Sequence, residues 1–509
     1  MVDKLGKQWI YLQQPKKKKD GSGDIIVGIH PGGQGYVHFS LVADPSDPNI
    51  VYIGGDRQPS KFGGSNKKGI PARYIKPDDT INDKDQINIF LTDEEQDVEF
   101  PNSIGANNWS GRLFRGDASK ETNNQWVHLT HSNELGAEGG GTANNTAPHA
   151  DSRSMAFDAL GNLIQTDDGG VYRRTNPKTN QGDWYSINGD LQVAEIHSIV
   201  YDPLTEVMTI GTQDNGTQQQ IRQKSMVWRE ILSGDGAVVA VDTLANPGSS
   251  ILYYSAQYLA ALTRVTYSTE NPIIEEVKLI DNDETFMPLF YSPICVNSVA
   301  GGRLLIAGEN SIFESFDKGD TLNNVGNGNY ESFDEWSCIA YGGMRDGEAN
   351  RDVIYACKNN KVFIRTTSSG ALTETVSIFP GDKINSIGLD PMDWMRAFLV
   401  TKSSVYMTND AGTTWIDITG NLRNVGDIFS VEIIRHQYYG LGGIVVGTEY
   451  GLYVSSGNAL GTWDNIGGNI PNVQIDDLCY SPESDILAIG TLGRGAWVIT
   501  NLYFKLYGY

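Results

Sequence analysis

Short runs in which apolar and polar residues alternate recur down this chain in groups of four, each run closed by Gly, Asp or Asn. Residues 152–188 hold SRSMAFDA, LIQTDD, GVYRRT and WYSIN, and residues 195–231 hold EIHSIVYDP, VMTIGTQ, TQQQI and VWREI. The next group reads AVVAVD, ILYYSAQ, ALTRVTY and IEEVKLI. A period of two predicts half-buried β-strands, and strands separated by tight turn signals predict antiparallel sheets. Further first strands begin near Pro293, Trp336, Ile384, Ile428 and Gln474. Ahead of these groups stands HFSLVADP, IVYIGGD, GRLFRGD and WVHLT, interrupted by a polar, acidic insertion over residues 57–110. The pattern amounts to nine units of roughly 57 residues each.

Two of the units carry the same turn sentence. SFDKGDT (315–321) and TNDAGTTW (408–415) both read Ser/Thr-x-Asp-x-Gly-x-Thr. In such a turn, an Asp-box, the Asp accepts backbone N–H bonds and the Gly takes a conformation that a side chain forbids. A small sheet repeated at a fixed period cannot bury its own faces and must stack on its neighbours. The fold expected is therefore all-β: one large β-propeller of about nine four-stranded blades spanning residues 1–509. The last unit supplies only three strands (IDDLCYS, ILAIG, GAWVI), so QWIYL at residues 8–12 is expected to complete it and close the ring, removing the exposed sheet edges.

The strand order sorts the polar residues. The start of a blade's first strand and the end of its second face one rim, and the third-to-fourth turn faces the other. Asp317 and Asp410 fall on the latter and read as structural, as does the Arg115-Gly116-Asp117 tripeptide. On the former rim stand His30, His38, Arg57 and Gln58 in blade one, and His149, Asp151, Arg153, Asp167 and Asp168 in blade two. Blade three adds Glu195, His197, Gln213, Asp214 and Asn215, and blade four adds Asp235. Each has a bland reading as a turn-forming or hydrogen-bonded structural group. Crowded together, carboxylates and imidazoles are costly unless they bind a cation, a ligand or each other, which makes the rim of blades one to four the candidate site.

Composition removes several classes. A net charge of −23 disfavours nucleic acid and anionic membrane as partners, and the basic run Lys16–Lys19 reads as a solvated loop. No stretch of about 18 apolar residues offers a membrane span. The four cysteines, Cys295, Cys338, Cys357 and Cys479, lack metal-knuckle spacing and allow at most one or two bridges. MVDKLGKQWIYLQQ has no apolar core of a secretory signal. P-loop, dinucleotide and nucleophile-elbow signatures are absent, and sialidase chemistry, which needs an arginine cluster for the sugar carboxylate, is disfavoured by the absence of a FRIP-type signature near the start.

HADSR (149–153) followed by NLIQTDDGGVYRR, then GTQDNGT (211–217), SGDGAVVAVD (233–242) and GTLGRGAWVI (490–499), resembles the sortilin-like group of Asp-box propellers with their bacterial relatives. More distantly the chain is similar to the propeller hydrolases that cut xyloglucan. In the family's His-x-Asp-x-His pattern, Arg153 stands here in place of the second His, and Asp167 replaces the Asn of the following Asn-Asp-Gly-Gly. Both departures argue against a two-histidine metal site. The resemblance implies a binding propeller, extracellular or on a particle surface, that recognises a glycan or protein ligand.

Three chemistries follow for the rim. A binding module would stack sugars on aromatics such as Trp109, Trp184 and Tyr172 and hold them with Arg57, Gln58, His149, Arg153, Glu195, His197, Gln213, Asn215 and Asp235. A glycosidase would use carboxylates among Asp151, Asp168 and Asp214 as acid and base or nucleophile. A divalent cation such as Ca²⁺ would be held by Asp151, Asp167, Asp168 and Asp214, with His149 shifting the preference toward Zn²⁺ or Mn²⁺.

Overall fold

A computed structural model describes residues 28–57, 109–130, 141–143, 146–268, 286–309, 311–325, 336–436 and 439–506, with strand segments at 2–3, 8–9, 17–18, 26–27 and 273–276. The nine expected sheets are present, all antiparallel. Eight have four strands, and the ninth (475–500) has three. Contacts divide the chain into two compact units, residues 1–191 and 192–509. The first holds sheets one (40–128) and two (154–186), and the second holds sheets three to nine.

Within the second unit the second strand of each sheet carries a continuous buried run, and its alternate residues serve two different cores. Leu304 and Ile306 of the fifth sheet pack with the fourth, whereas Leu305 and Ala307 pack with the sixth. Ala397 and Leu399 of the seventh face the sixth, and Phe398 and Val400 face the eighth. The same division runs through Val445 and Val446 of the eighth sheet. Seven apolar clusters therefore lie between seven sheets.

The cluster that completes the circuit joins Ile196, Ile199, Tyr201, Met208 and Ile210 of the third sheet to Ala488 of the ninth. Ile199 N donates to Asp477 Oδ2 at 2.8 Å across the same seam, and Glu195 bridges Leu492. Closure thus follows a different course from the one expected. Gln8–Trp9 pairs with Val2–Asp3, and the ninth sheet meets the third through packed faces without borrowing a strand. The helix Leu502–Leu506 follows the ninth sheet and buries Leu502 and Tyr503 against Ile434 and Val445.

The two Asp-box turns are built alike. Gly319 N donates to Ser315 Oγ at 2.7 Å and Thr321 N to Asp317 Oδ1 at 2.8 Å; Gly412 N donates to Thr408 Oγ1 at 2.9 Å and Thr414 N to Asp410 Oδ1 at 2.8 Å. Both join third to fourth strands, and Asp117, at the same place in the first sheet, accepts from Ser119 N at 2.9 Å. These aspartates are turn locks.

In the first unit Tyr52, Leu113, Leu163, Tyr172 and Trp184 form the core between its two sheets. Trp184 and Tyr172, expected as sugar platforms, are 1% and 0% exposed and unavailable to a ligand. Trp109 is half-buried under the Arg57 guanidinium, 5.1 Å from its ring centroid. Gln58, and with it most of the 57–110 insertion, lies outside the described residues.

Candidate functional site

The candidate residues fall into two groups, one in each unit. In the first unit, the second strand of sheet one ends at Asp56 and Arg57. Asp56 Oδ1 accepts from Arg57 N at 2.7 Å and Oδ2 from Gln34 N at 3.2 Å, which ties the 30–38 segment to that strand end. The same strand anchors HADSR, because Asp151 N donates to Asp56 O and Ser152 N to Gly55 O. Asp151 takes a left-handed backbone (φ 68°), a conformation uncommon for residues with a side chain. It brings Oδ1 to 3.6 Å from His38 Nε2.

Arg153 grips Asp168 with both arms of its guanidinium, Nε to Oδ1 at 2.6 Å and Nη2 to Oδ2 at 2.8 Å. Asp167 has turned inward. Its oxygens accept from Gln165 Nε2 and Gly169 N, each at 3.0 Å, and burial pushes its carboxyl well above the usual range despite those bonds. His149 is buried, its backbone bridges Ser110 and its Nδ1 lies 3.3 Å from Ala150 O. Gly169 passes so close beneath it that a Cβ there would sit 2.5 Å from the His149 Cβ. His149 and Asp167 are thus held by the framework, while His38, Asp151, Asp168 and Arg153 are brought together beside them.

Donor atoms of His38, Asp151 and Asp168 lie within 4.8 Å of one another. One imidazole nitrogen with two carboxylates suits Zn²⁺ or Mn²⁺ better than Ca²⁺, which prefers an all-oxygen shell. Arg153 already supplies the positive partner of Asp168, so a metal ion would have to displace a bidentate guanidinium.

The second unit holds a denser group, organised by Gln213. This residue leaves the second strand of sheet three, and its N donates to Glu195 O at 3.0 Å. Its Nε2 donates to Asp235 Oδ1 at 2.8 Å and to Asp214 Oδ1 at 3.1 Å, while its Oε1 accepts from Tyr291 Oη at 2.6 Å. Asp214, also left-handed (φ 59°), donates its N to Asp235 Oδ1 at 2.9 Å. Asn215 caps the turn through Gln213 O. Burial, together with the neighbouring Asp214 charge, moves Asp235 from 3.8 to about 6, although the Asp214 N–H pulls the other way.

Beside this pair the His197 ring lies on Tyr291, centroids 4.4 Å apart, with Glu195 Oε1 at 3.8 Å and Asp476 Oδ2 at 4.0 Å from its nitrogens. Burial raises the Asp476 carboxyl against the opposing influence of Gln474, which donates to it at 2.6 Å, and of His197. An aromatic ledge continues outward. Phe290 stands edge-on to Tyr291 at 4.7 Å, and Tyr258 edge-on to Phe290 at 5.1 Å. Tyr258 is 56% and Phe290 38% exposed. Gln257 ties the ledge to the acids, since its Oε1 accepts from Asp235 N and its own N donates to Asp235 O.

The all-β architecture has clear structural relatives. One is the GH74 enzyme of Niastella koreensis (TM-score 0.52, 12% identity, 94% of this chain and 62% of that one). Another is the GH74 xyloglucanase of Xanthomonas campestris (TM-score 0.52, 11% identity, 90% and 58%). The fold is a β-propeller. YCF48 of Cyanidioschyzon merolae also aligns, over 61% of this chain, with a TM-score of 0.43. The chain spans about three fifths of the length of the two GH74 enzymes. No protein-family model matches it, and no curated protein matches it in sequence.

Tyr258, Phe290, Tyr291, Gln257 and Asp476 were not among the expected site residues. Tyr291 and Asp476 sit where the rim rule points, just before or at the start of a first strand, but in the fifth and ninth sheets, away from the run of histidines and acids in the first four. Asp476 reaches His197 because the ninth sheet packs on the third.

Proposed function

We propose that this propeller is a carbohydrate-binding protein whose ligand lies on the Tyr258–Phe290 ledge, with its hydroxyls held by Asp214, Gln213 and Asp235. The observation that carries the reading is an exposed aromatic ledge continuous with a polar group of fixed geometry. Sugar rings present an apolar face to an aromatic and a rim of hydroxyls to carboxylates and amides, and this site joins both through Gln257 and Tyr291. Clustered carboxyls favour a neutral glycan over a polyanionic one. The GH74 neighbours share the fold, and a fold alone transfers no activity.

Hydrolysis by the same acids is the second reading, because Asp235 at about 6 stays partly protonated near neutral pH, as a general acid must. The spacing counts against it. Glycosidase carboxyls stand about 5–5.5 Å apart in retaining enzymes and farther in inverting ones, leaving room for the scissile bond. Here both Oδ1 atoms reach the same amide nitrogen, and the two carboxyls interact directly. Such a pair is built to grip.

Calorimetric titration with neutral oligosaccharides, xyloglucan fragments among them, tests the proposal. Tyr258→Ala is expected to weaken binding about tenfold, about 1.4 kcal/mol, with the melting temperature unchanged. Oligosaccharide binding that is indifferent to both Tyr258→Ala and Asp214→Ala refutes this location. Release of reducing ends that Asp214→Asn abolishes moves the assignment to hydrolysis.

A further inference from the structure

Of the four cysteines, two meet. In the sixth sheet Cys338 of the strand Trp336–Arg345 is the direct cross-strand partner of Cys357 in Glu348–Lys358. A bulge between Trp336 and Cys338 sets this register, and Ser337 on the bulge donates its Oγ to Cys357 O at 3.3 Å. Directly opposed residues of an antiparallel pair project from the same face with Cα atoms about 4.5–5.5 Å apart, inside the range of about 4.4–6.8 Å that a disulfide spans. Both side chains enter the core between sheets six and seven, where Cys357 is fully buried and Cys338 half-buried against it. Cys295 stands in the fifth sheet and Cys479 in the ninth, each against a different cluster. Neither competes for the pair.

We propose that Cys338 and Cys357 form a redox-active dithiol that closes to a cross-strand disulfide when the protein meets a small-molecule disulfide. Cys338, the partner with solvent access, attacks as its thiolate, forming a mixed disulfide and releasing one small thiolate. Cys357 loses its proton to solvent, attacks the Cys338 sulfur and expels the second. Two protein thiols and one small disulfide thus become one protein disulfide and two small thiols. Burial, reinforced by the adjacent Cys338 sulfur, pushes the Cys357 thiol well up, so the second step is the slow one.

The test treats the folded full chain with oxidised glutathione, alkylates it after unfolding, and maps its peptides without reduction. The expected product is a single crosslink joining Cys338 to Cys357, with a mass loss of about 2 Da for the two thiol hydrogens, reversed by reductant. Cys295 and Cys479 stay alkylated. Cys357→Ala should halt at a glutathione adduct on Cys338, which identifies the order of attack. Full alkylation of both residues in wild-type protein after prolonged oxidation overturns the proposal, as does crosslinking spread over Cys295 and Cys479.

Discussion

Asp235→Asn is expected to stabilise the protein at neutral pH, the reverse of what loss of a well-bonded acid usually does. Asp235 Oδ1 accepts from Gln213 Nε2 and Asp214 N, and an asparagine Oδ1 accepts both. The other carboxyl oxygen becomes an amide N–H₂ that can donate to Asp214 and brings no buried charge of its own. In the folded chain Asp235 titrates at about 6 against 3.8 when exposed, first because of burial and then because of Asp214. The fold binds the proton more tightly than the unfolded chain, so the stability this group confers is complete below about pH 4 and falls as pH rises to about 6. Two decades at about 1.4 kcal/mol each set an upper limit of about 3 kcal/mol, and solvent screening of a half-buried group brings this to roughly 1–2 kcal/mol. Urea denaturation of both proteins at pH 4, 5, 6 and 7.5 measures it. The midpoints should coincide at pH 4 and separate toward neutrality, the variant being higher at an unchanged slope. A variant weaker at pH 7.5, or an equal offset at every pH, refutes the burial penalty on the Asp235 charge.

Glu314 is 1% exposed and is held by Arg303, by both arms of Arg365 and by the Tyr341 hydroxyl, which keep its carboxyl below the usual range although burial alone would raise it. Glu314→Gln takes the carboxylate from the buried Arg365 guanidinium and leaves Arg303 with Asp352 alone, and should cost about 3–5 kcal/mol in denaturant unfolding; a loss under about 1 kcal/mol would show that the buried pair is dispensable. Arg153→Ala removes the cation that holds Asp168 beside His38 and Asp151, so added Mn²⁺ or Zn²⁺ should raise the melting temperature of the variant more than that of the wild type. Equal responses show that guanidinium and metal do not compete there.

The sheets were legible because each strand carries its own signal: period-two burial, turn residues at the ends, and the Asp-box twice over. Their order of contact was not. Nothing in QWIYL distinguishes a strand completing the ninth sheet from one pairing with Val2–Asp3; what decides closure is whether Ile196 and Ile199 fit against Ala488, a match of shapes far apart in sequence. The site shows the same division. Strand position sufficed to name Gln213, Asp214, Asp235 and His197, but the partner that completes His197, Asp476, is brought in by that closure. Tyr258 escaped notice for a different reason. It belongs to a short stretch of left-handed backbone (Tyr258 φ 57°, Leu259 φ 54°, Ala261 φ 51°), and residues other than Gly rarely announce that conformation in sequence.

A circle sealed without a shared strand has a built-in zip. Every other joint of the second unit is also tethered by the polypeptide running from one sheet into the next, whereas the third and ninth sheets are held by contact: an apolar patch, the bridge at Glu195, the Ile199–Asp477 bond, the Gly493 and Gly495 N–H bonds to Ala194 O and the His197–Asp476 pair. Asp477 is pushed up to about 6 by its burial there, so above that pH the joint must hold an unfavourably buried charge, which mild acid relieves. As pH rises through that value, loosening should begin at this joint, and the His197–Asp476 edge of the candidate site would be the first part of it to come apart.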